Sequence, residues 1–441
     1  MKKVVVSKYV EKLFETPADM SCWCGYYNYD PLDADARLLL CGKAGEDGCA
    51  PRRGQTIELG LFDLSTGDWR RIGETDSWNW QQGAMQQWVD GTRKVVYNSS
   101  AGNHLVSVIR DTDTGAEKQV RWPVYGLLPG GGASLSLDLE RSYWCRAYHY
   151  QSVVNEEADG PVLESDGIFL TDLEHNTRRR IVSIQDVIAT DWRPSFDSCK
   201  HWLEHIMISP SGRRFCFLHR YSSAENVYSY KTRLFIADAD GSGLKIVPGW
   251  DGVDWSHFGW RGDDGFAIYS YRGYRRPVAG DLGSLLRSPL KLMLKLYNAA
   301  TWRWLPYSVS RALNGKRQYY QLYSVGENNE AVPLGAIESS MFRIDGHPSF
   351  TADGRYMITD SYPDRKGFQK LIVYDTVSGK SLLLAKLFAG LRDTPASCDL
   401  HPKLSRDNSR VCVDTAYDGR HHVIVFKLNW DLISEKLKQR G

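Results

Sequence analysis

Residues 205–221 read HIMISPSGRRFCFLHRY, and three further stretches of the C-terminal half repeat this pattern, each beginning at a histidine. They are HFGWRGDDGFAIYSYRG (257–273), HPSFTADGRYMITDSYPD (347–364) and HPKLSRDNSRVCVDTAYDG (401–419). In every copy, alternating apolar residues flank a turn built from Gly, Asp, Asn or Ser, which is typical of a β-hairpin. A second strand pair follows each of the first three copies, as in TRLFIADADGSGLKIV (232–247). Each of these repeats therefore predicts four short antiparallel strands.

Four strands in every 40 to 60 residues, roughly, are the signature of a propeller blade. The pattern continues upstream with lower fidelity, in three pairs of segments that begin with ARLLLCGKA (36–44), QQWVDGTRKVVYN (86–98) and YGLLPGGGASLSLD (125–138). The sequence thus predicts an all-β fold, a single seven-bladed β-propeller over residues 1–441. The last repeat ends at HHVIVFKL (421–428) without a partner strand. We expect residues 1–12, which contain the β-branched run KKVVVSKYV, to close the ring there, because an open blade would leave backbone groups unpaired.

Charge and targeting signals limit the classes of partner. The chain has 55 basic and 53 acidic residues, a formal net charge of +2, so no overall field attracts it to nucleic acid. Its N-terminus, MKKVVVSKYVEKLFETP, lacks the apolar core of a secretory signal, and no run of 18 apolar residues is present. We therefore expect a cytoplasmic protein that does not bind nucleic acid.

One segment, residues 281–317, interrupts the repeat in the fifth blade. It combines leucines at three- and four-residue spacing with a strong excess of Lys and Arg, which predicts a basic helical insertion. Such a composition fits a helix at a membrane interface, and this predicts peripheral contact with the inner face of the membrane. The alternative is a lid that packs its apolar face on the propeller, because Pro289 and Pro306 limit the length of any one helix.

The repeated histidines are the strongest functional signal. In a propeller the first strand of each blade lines the central channel, so equivalent positions of neighbouring blades converge at one end of it. His205, His257, His347 and His401 occupy nearly the same place in four consecutive repeats. Asp399 lies two residues before His401, on the same face of the strand. Imidazoles converging with a carboxylate favour Mn²⁺, Fe²⁺ or Zn²⁺, so we expect His257, His347, Asp399 and His401 to be metal ligands. The alternative is that each histidine has a structural role.

On these residues the sequence resembles the oligogalacturonate lyases, seven-bladed, TolB-type propellers that cleave uronate oligosaccharides by β-elimination with manganese. The segment WSHFGW around His257 resembles that family's first metal-histidine motif, and Asp399-Leu400-His401-Pro402 falls where the family has a His-x-His ligand pair. The resemblance implies a metal role for His347 and the role of catalytic base for His205. It also implies Mn²⁺ as the cofactor. Ala396 stands where the family has a further Gln ligand.

A second resemblance is closer. The motifs GYYNYDP, WNWQQGAMQQW, KHWLEH, DGHPSFTADGR and CDLHPKLS are similar to those of a group of propeller proteins found with bacterial polysaccharide genes.

Several other side chains are candidates for substrate contacts. Arg220, Arg272 and Arg365 each follow the first hairpin of a histidine-bearing repeat, where a guanidinium can pair with a carboxylate, and we assign Arg220 to catalysis. Aromatic faces stack on sugar rings and amides bind hydroxyl groups, so four residues near the N-terminus also become candidates. They are Tyr27, Gln82, Gln87 and Trp88. The alternatives are rim salt bridges for the arginines and packing between blades for the tryptophan.

Two functions follow from these observations. The first is a lyase that cleaves a uronate-containing oligo- or polysaccharide by metal-assisted β-elimination. The second is a non-catalytic propeller that binds glycan or scaffolds a polysaccharide-assembly complex at the membrane. A metal-dependent hydrolase on the same site would differ from the lyase by the mass of one water in its products.

Overall fold

The propeller is seen directly in the computed structural model. It describes residues 3–438 apart from 147–149, 224–229, 250–252, 274–315, 339–340, 342–344 and 393. Within these residues, 29 strands form seven separate antiparallel sheets, one for each blade. The predicted all-β, seven-bladed propeller is confirmed.

The first three blades come from the upstream repeats. Blade one contains β3 (Ser21–Trp23), β4 (Leu38–Ala44), β5 (Ile57–Asp63) and β6 (Trp69–Thr75). Blade two contains β7 (Gln87–Trp88), β8 (Lys94–Ala101), β9 (His104–Asp111) and β10 (Glu117–Val120). Blade three contains β11 (Gly126–Leu127), β12 (Ala133–Ser136), β13 (Gly167–Asp172) and β14 (Thr177–Ser183).

The four histidine-bearing repeats form the other blades. Blade four contains β15 (Cys199–Ile208), β16 (Arg214–Ser223), β17 (Lys231–Asp238) and β18 (Lys245–Ile246). Blade five contains β19 (Val253–Trp260), β20 (Gly265–Gly273), β21 (Lys316–Val325) and β22 (Ala331–Ile337). Blade six contains β23 (Ser349–Phe350), β24 (Tyr356–Asp360), β25 (Phe368–Asp375) and β26 (Lys380–Phe388). Blade seven contains β27 (Lys403–Leu404), β28 (Arg410–Thr415) and β29 (His422–Leu428).

The N-terminal segment contributes to two blades. β1 (Val4–Val6) pairs with β26 and adds a fifth strand to blade six, whereas β2 (Val10–Glu15) pairs with β29 and completes blade seven. A turn between them, in which Val10 N donates to Ser7 O, moves the chain from one blade to the next. The strand that closes the ring is therefore Val10–Glu15, and only part of it lies within the expected residues 1–12.

Helices are short in the described part of the chain. They are α1 (Leu139–Cys145), α2 (Ile184–Ala189) and α3 (Trp430–Lys438). None of these helices has the length and apolar character needed to cross a membrane. The predicted basic insertion, residues 281–317, falls between β20 and the start of β21 in blade five. Residues 281–315 lie outside the described part of the chain, and Lys316 and Arg317 are the first residues of β21 rather than part of an insertion.

Apolar side chains fill the spaces between neighbouring blades. Leu218 and Leu234 of blade four, for example, belong to the same buried cluster as Trp255 and Phe266 of blade five. On the channel side, the first strands of blades three to seven contact one another in order. This arrangement places equivalent repeat positions side by side around the channel.

Candidate metal centre

Two of the repeated histidines sit on bulges of channel-lining strands. The pairing of β15 with β16 shifts between Glu204 and Met207, and the pairing of β19 with β20 shifts between Trp255 and Phe258. His205 and His257 occupy these irregular positions, and His205 has a φ of 54°. A bulge turns a side chain away from the direction that a regular strand would give it.

The other two histidines precede the first strands of their blades. His347 lies just before β23, and His401, with a φ of 43°, lies just before β27. The four imidazoles form a continuous row. Ring centroids are 6.4 Å apart for His205 and His257, 4.0 Å for His257 and His347, and 4.3 Å for His347 and His401.

Three residues of this region have the geometry of a metal-ligand set. Ligand atoms of His347, Asp399 and His401 all lie within 4.8 Å of one another, a group that does not include His257. Burial holds the pKa of both His347 and His401 well below the ordinary value, so both imidazoles are neutral and can donate a lone pair. Burial, with the nearby charge of Asp360, raises the pKa of Asp399 to about 7. A cation at this point would favour the ionised carboxylate.

Two buried carboxylates orient the histidines. Asp360 accepts from His347 Nδ1, with both of its oxygens at 3.0 Å, and from the backbone N–H groups of His347 and His401 at 2.7 and 3.2 Å. Asp345 Oδ1 lies 3.3 Å from His257 Nδ1. Burial raises the pKa of Asp360 to about 7; for Asp345 the effect of burial is outweighed by His257, which lowers the pKa. Carboxylates in this position fix the tautomer and ring orientation of a metal-binding histidine.

His205 belongs to a separate hydrogen-bonded network beside the row. Its Nε2 is 3.2 Å from Glu204 Oε2, and its Nδ1 is 2.9 Å from the hydroxyl of Tyr26. Burial lowers the pKa of His205 to about 4, partly offset by Glu204. Although burial opposes ionisation of Glu204, Arg146 and Arg220 hold its pKa well below the ordinary value. The contact of Glu204 Oε2 with His205 Nε2 is within ion-pair distance but lacks hydrogen-bond alignment, whereas Nδ1 shares a hydrogen bond with the Tyr26 hydroxyl.

Arg220 is buried next to this network. Its Nη1 lies 2.6 Å from Glu204 Oε2, and its guanidinium covers the ring of Tyr230 at 4.3 Å from the centroid. The contact with Glu204 is an ion pair and not a hydrogen bond, since its angles are unsuitable. Neither Nε nor Nη1 of Arg220 has a hydrogen-bond acceptor within the described residues.

Tyr27 connects the row of histidines to blade five. Its hydroxyl donates to Phe258 O at 2.7 Å, and its ring lies 5.0 Å from His347 and 6.0 Å from His401. The predicted substrate residue is therefore in the cluster, although its hydroxyl is engaged by the backbone.

The remaining predicted substrate residues lie elsewhere or have internal partners. Gln87 uses its amide on the backbone of Met85, Tyr125 and Leu127. Trp88 is 7% exposed and donates to Pro31 O, as expected from packing between blades.

The last three predicted substrate residues differ in their surroundings. Gln82 is buried and donates to the hydroxyl of Tyr125 at 3.3 Å. Arg365 is exposed in the turn between β24 and β25. Arg272 lies in β20, and its side chain is outside the described part of the structure.

The sequence did not predict three buried acidic residues that contact the histidines of the site: Glu204, Asp345 and Asp360. Asp360 had a recognisable signal, because Asp414 occupies the equivalent place in the next repeat, at the end of the second strand. Asp414 also anchors a channel-side residue, accepting from Lys403 Nζ at 2.7 Å. An acidic residue that recurs at this blade position therefore indicates a carboxylate that holds a channel-lining side chain of its own blade in place.

Comparison with known proteins supports the fold. No family model matches the sequence, and no curated protein sequence does. Among solved structures, an oligogalacturonate lyase from Vibrio parahaemolyticus is similar over 96% of this chain and 95% of its own, with 15% identity and a TM-score of 0.59. A structure described as oligogalacturonate lyase in complex with manganese is similar over 95% of this chain and 93% of its own, with 16% identity and a TM-score of 0.59. The chain thus has the same seven-bladed propeller fold as these two oligogalacturonate lyases.

Proposed function

We propose that the protein cleaves a uronate-containing oligo- or polysaccharide by metal-assisted β-elimination. The observation that carries this proposal is the convergence of His347, Asp399 and His401 next to the hydrogen-bonded His205. The structural similarity to a lyase in complex with manganese adds support and makes Mn²⁺ the first cofactor to test.

The donor set fits such an ion. The Nε2 atom of His347 is buried and has no hydrogen-bond partner in the described part of the chain. Its Nδ1 is held by Asp360, so the free nitrogen carries the lone pair. Two neutral imidazoles and one carboxylate are suitable ligands for Mn²⁺, Fe²⁺ or Zn²⁺. In this proposal His347, Asp399 and His401 hold the ion, and His257 lies beside them.

In a β-elimination the proton next to the uronate carboxylate must be removed while the glycosidic oxygen departs. A bound divalent ion polarises that carboxylate and so acidifies the neighbouring C–H group. His205 is the proton acceptor in this proposal, because burial keeps its imidazole neutral. The Tyr26 hydroxyl lies 2.9 Å from His205 Nδ1, and the Tyr26 ring is 5.2 Å from the ring of His205 and 5.3 Å from that of His401.

Arg220 supplies the contact to the substrate carboxylate. Its Nε is buried without an acceptor in the described residues and can donate to a substrate carboxylate, while Nη1 lies 2.6 Å from Glu204 Oε2. Glu204 balances the charge of the guanidinium in the free protein. The pair keeps Arg220 in place while its unused N–H groups select an acidic sugar.

The test is an incubation of the purified protein with oligogalacturonides and other uronate glycans, with and without Mn²⁺. We expect a metal-dependent rise in the ultraviolet absorbance of a 4,5-unsaturated uronide. His401→Ala and His205→Ala should abolish it. The exposed His175, in the turn between β13 and β14, provides the matched control His175→Ala, which should retain activity.

The outcomes separate the candidate functions. Cleavage without the unsaturated product, with products heavier by one water, would replace the lyase with a hydrolase. No cleavage across a broad panel of uronate glycans would overturn the proposal and leave the non-catalytic glycan-binding or scaffolding role. The cytoplasmic location and the membrane contact of residues 281–317 stay predictions, since most of that segment lies outside the described residues.

A further inference from the structure

A cavity of about 440 Å³ opens between blades two and three, away from the row of histidines. Its walls come from the end of β10, the start of β9, helix α1 and the turn before β14. This volume is within the range of sites that hold small molecules. Arg121, Trp122 and Arg178 supply its most distinctive lining.

Two guanidinium groups share one indole ring in this cavity. Arg121 lies 5.7 Å and Arg178 6.0 Å from the ring centroid of Trp122. Arg178 also covers the ring of Phe169 at 3.5 Å, which fixes the plane of its guanidinium. Burial lowers the pKa of Arg178 to about 10, so it remains charged at neutral pH.

Neither arginine is in contact with a carboxylate of the described residues, although the charges of Asp138, Glu140 and Asp166 act on Arg178 from a greater distance. Within the described residues, neither forms a salt bridge, and the buried Nε of Arg178 has no hydrogen-bond acceptor. The acids on the cavity wall have other partners: Glu140 accepts from Leu105 N at 3.2 Å, and Asp138 accepts from Arg141 N at 3.0 Å as the cap of α1. Two cations around one ring repel each other unless an anion lies between them.

We propose that this cavity is a second saccharide site, which binds a sugar carrying an oxyanion through Arg178 and Arg121 and stacks the sugar ring on Trp122. The oxyanion is the carboxylate of a uronate or the phosphate of a sugar phosphate, since a guanidinium binds both through paired N–H groups. The half-buried indole offers the flat apolar face that sugar C–H groups contact. This inference does not depend on the metal centre.

The test is isothermal titration of the full chain with trigalacturonate, glucose 6-phosphate and neutral maltotriose, each in the presence of a chelator. Every protein titrated carries His401→Ala, so that the uronate is not cleaved during the experiment. We expect one or both of the charged sugars to bind and maltotriose to bind much more weakly. Arg178→Gln should reduce the affinity at this site by about tenfold or more, since a charge-assisted hydrogen bond is lost. The exposed Arg121→Gln should reduce it less.

Arg179→Gln is the matched control. Arg179 is the next residue of β14, is exposed, and has its described contact with the backbone of Asp240. Binding unchanged by Arg179→Gln and weakened by Arg178→Gln and Arg121→Gln supports the site, and the sugar that binds identifies the oxyanion. The proposed site would be overturned if the neutral and charged sugars bound equally well. It would also be overturned if Arg178→Gln and Arg121→Gln left the affinity of the His401→Ala protein unchanged. Either result leaves the elimination assay unaffected, so the two proposals can fail separately.

Discussion

Asp360 and His347 are joined by three contacts: both carboxylate oxygens lie 3.0 Å from the ring Nδ1, and Oδ1 also accepts the backbone N–H of His347 at 2.7 Å. The other oxygen accepts the backbone N–H of His401 at 3.2 Å. Asp360 therefore fixes one candidate ligand by its ring and a second by its backbone, although its own atoms are outside the ligand group.

The first prediction follows from this relationship. Asp360→Asn should weaken Mn²⁺ binding by about 10- to 100-fold, the usual effect of losing a carboxylate that orients a ligating histidine. Titration of the metal-free protein with Mn²⁺, followed by electron paramagnetic resonance of the free ion, measures this. Asp353→Asn is the control, because Asp353 lies in the same blade and its described bonds are to Thr351 and Arg355. Equal affinities of the Asp360 variant and the native chain would show that the carboxylate does not organise a metal site.

The second prediction concerns pH. The pKa values of Asp360 and Asp399 are both raised to about 7, chiefly by burial, while metal binding requires ionised carboxylates. Binding should therefore release protons, and the Mn²⁺ affinity should rise between pH 6 and 8. Titrations in buffers of different ionisation enthalpy count the protons released. Asp399→Asn keeps an oxygen donor but removes one titrating carboxyl, so its affinity, although lower, should depend less on pH. A flat pH profile in the native chain would contradict the prediction.

The sequence predicted the convergence of the histidines because a repeat fixes the blade position of each one. It did not predict how they point, since the bulges at His205 and His257 and the φ of 43° at His401 depend on tertiary contacts rather than on local sequence. The buried partners Glu204 and Asp345 were missed for the same reason. From the sequence alone, an acidic residue is expected to be exposed, because its partners on neighbouring blades are not known.

Among the aromatic and amide residues near the N-terminus, the sequence predicted substrate contacts where the structure shows internal hydrogen bonds. Gln87 and Trp88 have the composition of a sugar-binding cleft, yet their polar groups are hydrogen-bonded to the backbone of neighbouring segments. Side-chain type alone cannot distinguish an amide that faces a ligand from one that joins two loops.

The third prediction tests ring closure. Deletion of residues 1–8 removes β1 from the edge of blade six, and we expect a loss of about 1–2 kcal/mol in the free energy of unfolding. Deletion of residues 1–15 also removes β2, exposing the edge of β29 and the core contact of Val10, which is 7% exposed. This should cost several kcal/mol more, roughly, from lost strand pairing and apolar burial. Urea unfolding compares the two truncations, and similar midpoints would mean that β2 does not secure the ring.

The fourth prediction concerns Asp166, a carboxylate buried just before β13. Its Oδ1 accepts from Gly167 N at 2.7 Å, but its Oδ2 has no partner among the described residues. Burial, reinforced by the charge of Asp138, raises the pKa of Asp166 to about 8. Between the ordinary pKa of an aspartate and this value, the folded chain holds a proton that the unfolded chain has released. Stability contributed by the neutral carboxyl is therefore complete below about pH 4 and is lost as the pH rises towards 8.

Asp166→Asn removes this titration. Relative to the native chain, its free energy of unfolding should increase by about 1.4 kcal/mol for each pH unit between pH 5 and 7, since one proton is bound in the folded state alone. Urea unfolding of both proteins at pH 5, 6 and 7 measures the difference. Asp159→Asn, in the segment between β12 and β13 of the same blade, is the control. The hydrogen bond from Lys200 lowers the pKa of the exposed Asp159, so both states of the chain are ionised there across this range and the difference from the native chain should not change. If the difference in free energy of unfolding between Asp166→Asn and the native chain is also independent of pH, Asp166 ionises in the folded chain as readily as in the unfolded one.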